Sequence, residues 1–264
     1  RLGGDADGGP QGAAEGKLMA YAVQWLRSLV FTIQAYGMMA VMALAFLPWA
    51  LVDRRGAFAA VRVWTNWVRW TAGWMIGLKS EIRGEVPQGE VMIAAKHQSF
   101  FDIILIANAL PRPKFIMKKQ LIWAPFVGLY ALRIGCVAVD RGKRGAAIKA
   151  MVDGVKSGAT EPGQLIIFPQ GTRVAPGESL PYKVGVGVLY QEMGAPVVPV
   201  ACNVGVFWPR RRLYRAPGLA VIEFLPAIQP GLPLRDFLSE VEQAVESRSD
   251  ALMTEAGFAP RRLP

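Results

Sequence analysis

The sequence predicts an α/β fold, a mostly parallel mixed sheet covered by helices, behind an N-terminal membrane-embedded helical segment. Three observations predict it. From about residue 81 onward, short Val- and Ile-rich runs recur that are apolar throughout, as strands buried on both faces are. Helical patterns separate several of these runs, which is the rhythm of an α/β domain. Ahead of them lies an uncharged stretch over residues 28–52, longer than the ~20 residues a helix needs to cross a bilayer.

In chain order, residues 1–17 begin Gly- and Ala-rich without apolar periodicity and are expected to form a disordered lead-in. Residues 18–80 are expected to anchor the chain. Gly37 and Pro48 fall inside the apolar run, so a spanning helix and a re-entrant hairpin are both open. Ala43-Leu44-Ala45 resembles a signal-peptidase site, but the run is too long for a signal peptide and continues past it. Trp64, Trp67, Trp70 and Trp74 then share one helical face, with Arg62 and Arg69 beside them. Tryptophan with arginine suits a headgroup region, and packing into a protein core is the alternative. Basic residues after the run (Arg54, Arg55, Arg62, Arg69, Lys79) outnumber those before it (Lys17, Arg27). That bias predicts the rest of the chain on the cytoplasmic side of the inner membrane.

Residues 81–264 are expected to form the α/β domain, with strands at 91–95, 115–117, 136–139, 165–168, 197–202 and 219–224. Helices are expected at 100–109, 145–156, 185–192 and 234–256. Composition narrows the chemistry. The chain has 264 residues, a net charge of +10 and 52% hydrophobic residues. A nucleic-acid binder can be this basic but is rarely this apolar, whereas an anionic membrane surface accounts for both properties. A single histidine, His97, excludes multi-His metal sites, and Cys136 and Cys202 lack the spacing of a zinc ribbon or a disulfide scaffold. No metal or cofactor is expected.

The segment KHQSFFD (96–102) follows the expected strand 91–95 directly. Ser99 and Asp102, three apart before an apolar run, form a capping-box pattern. At such a helix start a neutral imidazole is favoured over imidazolium, the form a general base needs. Asp102 could turn back to hold the His97 ring, or could serve only as a cap. Two further strands end in polar turns with arginine: residues 135–141 (GCVAVDR) and 168–173 (FPQGTR). The strand at 197–200 is punctuated by proline. Histidine and two arginines at the carboxyl ends of strands in one sheet would converge on one crevice, and arginine forks suit phosphate.

These four segments resemble the ordered motifs of the glycerolipid acyltransferases, specifically the bacterial 1-acyl-glycerol-3-phosphate acyltransferases, over about residues 81–209. The resemblance implies His97 as catalytic base, Asp102 as its orienting partner, and Arg141 and Arg173 as ligands of the acceptor phosphate. It also implies Lys118 as a further basic position near the acceptor, with Gln170, Gly171 and Thr172 positioning it. The third motif usually reads FPEGTR; Gln170 replaces the glutamate, which puts the acceptor headgroup in doubt. The second motif has Ala138 where a bulkier residue is common.

The implied reaction is acyl transfer from acyl-CoA or acyl carrier protein, as co-substrate, to the 2-hydroxyl of lysophosphatidic acid, giving phosphatidic acid. The residues are consistent with direct transfer: there is no G-x-S-x-G elbow, and neither cysteine is next to the histidine in sequence. The alternatives are another lysolipid acceptor such as lyso-ornithine lipid, a non-catalytic membrane-binding protein, and a lipid hydrolase. The basic cluster at 209–215 could meet an anionic headgroup or a coenzyme A phosphate, or be a solvated loop. The Gly185/Gly187 pair is read as close helix packing.

Overall fold

The computed structural model describes residues 10–140, 152–153 and 162–258. Among these described residues, seven strands form one sheet in the order β1-β7-β6-β2-β5-β3-β4. They are β1 (Leu78–Arg83), β2 (Val91–Ala95), β3 (Pro113–Lys118), β4 (Val137–Val139), β5 (Gln164–Ile167), β6 (Val197–Cys202) and β7 (Gly218–Phe224). Strands β6, β2, β5, β3 and β4 run parallel. β7 is antiparallel to β6 and carries β1 parallel to itself at the edge. The expected mixed, mostly parallel sheet is therefore present, and five parallel strands end on one edge.

Two covered faces explain why the strand sequences are apolar throughout. Ile93 and Ala95 of β2 and Ile166 of β5, with Phe168 just past it, join the core beneath helices near the N-terminus. Met92, Ala94, Leu165 and Ile167, one residue out of phase, join a second core. The helices of the first face are α1 (Pro10–Val52), α2 (Arg54–Ile76) and α3 (Phe101–Ala109). A 3₁₀ turn (Lys119–Trp123) and α4 (Val127–Arg133) follow β3. The second face is covered by α5 (Val184–Met193) and α7 (Leu234–Glu255), while the short α6 (Val204–Phe207) after β6 packs into the first core. In α5, a Cβ on Gly187 would lie 3.0 Å from Leu234 of α7, the close packing expected there.

Three features mark the N-terminal region. Helix begins at Pro10, so residues 10–17 are not a loose lead-in; the run AAEGKLMA is a good helix former and propagates from the apolar segment behind it. Gly37 and Pro48 interrupt nothing. The turn falls at Asp53, which caps α2 by accepting from the Arg55 N–H at 2.8 Å, and Gly77 ends α2 in the left-handed region. Third, α1 is a helix of 43 residues, ~64 Å at 1.5 Å per residue, and it lies along the domain. Its contacts run from Tyr21 stacked on Tyr214, through Phe31 against Trp208, to the Tyr130 hydroxyl on the Ala43 carbonyl.

The four tryptophans of α2 divide between the two readings. Trp64 donates to the Ala35 carbonyl and Trp67 to Gln34, both on α1, while Trp70 and Trp74 are exposed. Strand β1 was not anticipated, because LKSEIR carries three charges in six residues; it starts the domain at Leu78 rather than 81. The expected helix 145–156 lies almost wholly outside the described residues.

Candidate active site

His97 sits two residues past β2, at the edge where β6, β5, β3 and β4 also end. Residues 168–173 leave β5, its immediate neighbour; Lys118 ends β3, two strands away, ~10 Å at ordinary strand spacing. Register carries these positions to one level across the sheet: Ala94 pairs with Ile167, Phe115 with Ile166, and Lys118 with Val139.

Asp102 resolves the choice between cap and orienting partner by doing both. Its Oδ1 lies 2.9 Å from His97 Nδ1. Its Oδ2 accepts the backbone N–H groups of Gln98 at 2.8 Å and Ser99 at 2.7 Å. Ser99 Oγ in return accepts the Phe101 N–H at 3.2 Å. Asp102 is fully buried, and two fixed N–H donors hold it as an acceptor. A carboxylate facing Nδ1 pairs with the tautomer that carries the proton there and leaves the lone pair on Nε2.

The ring is held from its other side by the turn after β5. Phe168 stacks on it at 3.9 Å between centroids, and the His97 carbonyl accepts the Val174 N–H at 2.8 Å. FPQG is a β-turn with Pro at its second position; the Gly171 N–H returns to the Phe168 carbonyl at 2.8 Å, and Gly171 has φ +70°. Gln98 is pinned in turn: its Oε1 accepts the Gly205 N–H at 3.0 Å. A Cβ on Gly205 would come within 2.7 Å of Gln98 Cβ, so the start of α6 approaches the His97 segment as closely as backbone allows.

Arg173 is half-buried, and its carbonyl accepts from Arg210, which brings the basic 209–212 segment to the same edge. Lys118 is exposed. Gly171 and Thr172 are half-buried in the turn. Arg141 lies outside the described residues, although Asp140 before it is exposed at the end of β4. Gln170 departs from expectation. It is buried at 3% exposure and directed inward, its amide donating to the Leu180 carbonyl at 3.2 Å and to Glu246 at 3.3 Å.

Sequence reasoning missed Glu246 and its partners Lys96 and Tyr182, which join Gln170 around that one carboxylate. Only the position of Lys96 beside His97 hinted at a role. Neither thiol is poised for attack: burial pushes Cys136 up to about 11 and pushes Cys202 well above the usual thiol range. Arg215 is a structural cation: its guanidinium lies 4.4 Å over Trp208, and burial lowers it to about 10.

The strand ends of the parallel sheet thus assemble a carboxylate-held histidine beside an arginine-bearing turn. Residues 78–203 match the Acyltransferase family model. The chain is similar to the 1-acyl-sn-glycerol-3-phosphate acyltransferase of Pseudomonas aeruginosa, 26% identical over 77% of this chain and 80% of that one. The human 1-acyl-sn-glycerol-3-phosphate acyltransferase alpha is 31% identical over 49% of this chain, which spans 47% of its length. The fold matches the crystal structure of the 1-acyl-sn-glycerophosphate (LPA) acyltransferase PlsC from Thermotoga maritima. That match has a TM-score of 0.74 and 21% identity over 89% of this chain and 99% of that one.

Proposed function

We propose that the chain transfers an acyl group from an acyl thioester to the 2-hydroxyl of 1-acyl-glycerol-3-phosphate, forming phosphatidic acid. The observation that carries this reading is the Asp102–His97 pair at 2.9 Å, with the second carboxylate oxygen held by two backbone N–H groups. The named relatives support the choice of acceptor.

His97 Nε2 takes the proton of the acceptor hydroxyl as its oxygen attacks the thioester carbonyl. The tetrahedral intermediate collapses with loss of thiolate, and the imidazolium returns the proton to the leaving sulfur. Asp102 holds the productive tautomer and steadies the transient imidazolium. The N–H groups of Gln98, Ser99, Phe101 and Gly171 are already committed, so an oxyanion donor must come from elsewhere. Arg173 and Lys118, with Arg141, supply cations for the acceptor phosphate. Coenzyme A and acyl carrier protein are both candidate donors.

The outer side of the N-terminal helices fits membrane association. α1 is long and apolar enough to cross a membrane, and Leu26, Ile33, Leu44, Trp70 and Trp74 are exposed along the two helices. A lipid surface would cover this face and deliver the acceptor to the crevice, with the α/β domain on the cytoplasmic side of the inner membrane.

The test is acyl transfer from radiolabelled acyl-CoA to a panel of lysolipids, with acyl carrier protein as second donor and His97→Ala beside wild type. Phosphatidic acid formation that collapses in the variant is the expected result. Preference for another lysolipid would overturn the acceptor assignment, and equal activity in His97→Ala would overturn the mechanism.

A further inference from the structure

Lys96 and His97 leave β2 in succession, so their side chains go to opposite faces of the sheet. His97 meets Asp102 of α3; Lys96 meets α7. Lys96 Nζ is 2.5 Å from Glu246 Oε2, the lysine 2% and the glutamate 21% exposed. Glu246 Oε1 accepts from the Tyr182 hydroxyl at 3.0 Å and from Gln170 Nε2 at 3.3 Å. One carboxylate thus gathers a cation and two neutral donors, from the end of β2, the turn after β5 and the segment leading into α5. Burial, with Glu246 beside it, pushes the Tyr182 phenol far above its ordinary value and keeps it a donor.

We propose that Glu246 is a positioning residue for the active site, tying the strand end that carries His97 to the turn that carries Phe168 and Arg173, and that Gln170 works through Glu246 rather than on the acceptor. This rests on the reading of His97 as the base. A buried ammonium is tolerated when an ionised partner with good geometry accompanies it, and losing that partner leaves an uncompensated charge. Residue 170 must donate, because a carboxylate there would face Glu246 across hydrogen-bond distance. The two faces then act on one peptide: α3 holds the ring, and α7 holds the backbone from which it projects.

The experiment is steady-state acyl transfer to 1-acyl-glycerol-3-phosphate by the full chain in detergent micelles, with a thermal melt of every variant. Glu246→Gln and Gln170→Glu should each lower kcat about 10- to 100-fold on folded protein, the size of effect a misplaced catalytic group produces. Acceptor KM should stay within about twofold, because no substrate contact is removed. The exchange Gln170→Glu/Glu246→Gln again sets one amide against one carboxylate and should bring kcat back to within about fivefold. A folded Glu246→Gln with wild-type kcat would overturn the proposal. So would a Gln170→Glu variant that raises acceptor KM and keeps kcat, or an exchange no better than Gln170→Glu alone. If Glu246→Gln does not fold, Lys96→Met/Glu246→Gln removes both charges, and full activity there overturns the proposal equally. His97→Ala separates the two ideas: loss of activity there, with wild-type kcat in folded Glu246→Gln, rejects the positioning role alone, whereas activity retained in His97→Ala rejects the base.

Discussion

Lys96 and His97 are neighbours in the chain, yet the two sides of the sheet treat them differently. The partner of His97 is five residues away, on the helix that its own segment starts. The partner of Lys96 is 150 residues away, on the last helix of the domain. The first pairing is local and built by a capping pattern, so it forms wherever that segment folds. The second exists only once α7 has closed over the sheet. The local segment thus builds one pairing by itself, and the completed fold supplies the other.

The largest break in this comparison comes from His97→Ala. It should lower kcat by about 10²–10⁴-fold while the melting temperature barely moves, measured by acyl transfer and calorimetry. Asp102→Asn should approach the same loss, about 10²–10⁴-fold, because the amide presents a donor to Nδ1 and moves the proton to Nε2. Asp102→Ala should also destabilise the protein by about 1–3 kcal/mol, since two buried N–H groups lose their acceptor; urea unfolding checks this.

Smaller changes sharpen the contrast. Gly205→Ala drives a methyl group toward Gln98, whose side chain fills the space beneath the His97 segment. It should cost about 1–3 kcal/mol of stability as an overpacked contact, with kcat falling several-fold less than in His97→Ala. The smallest effect belongs to the thiols. With Cys136 at about 11 and Cys202 higher, the folded protein should resist alkylation at pH 8 and keep its activity. Reaction at Cys136 should accelerate only as pH approaches its raised value, as mass spectrometry of the alkylated peptides would show.

The strands were legible because burial on both faces leaves a continuous apolar run, and residues 91–95 and 197–202 were placed to the residue. β1 was not, because an edge strand with charges at alternate positions lacks that signal. The His97–Asp102 spacing was legible as a pattern but ambiguous as chemistry. Only the coordinates show one carboxylate oxygen serving the ring and the other serving the helix start. Residue 170 carries a related lesson: its motif position points to the crevice, while the turn geometry directs its amide to Glu246 of α7.

By itself, then, the sequence determined the class of fold, the strand ends that carry polar turns, and the histidine with its carboxylate, because these depend on periodicity and on contacts within a few residues. The tertiary structure decided the rest. α1 lies along the domain because Gln24, Ser28 and Phe31 find partners near residues 76, 208 and 215. Lys96 is held by Glu246 because helix α7 crosses the second face of the sheet there. Such pairings depend on where distant segments pack once hydrophobic burial has closed the chain, and no local pattern encodes that distance.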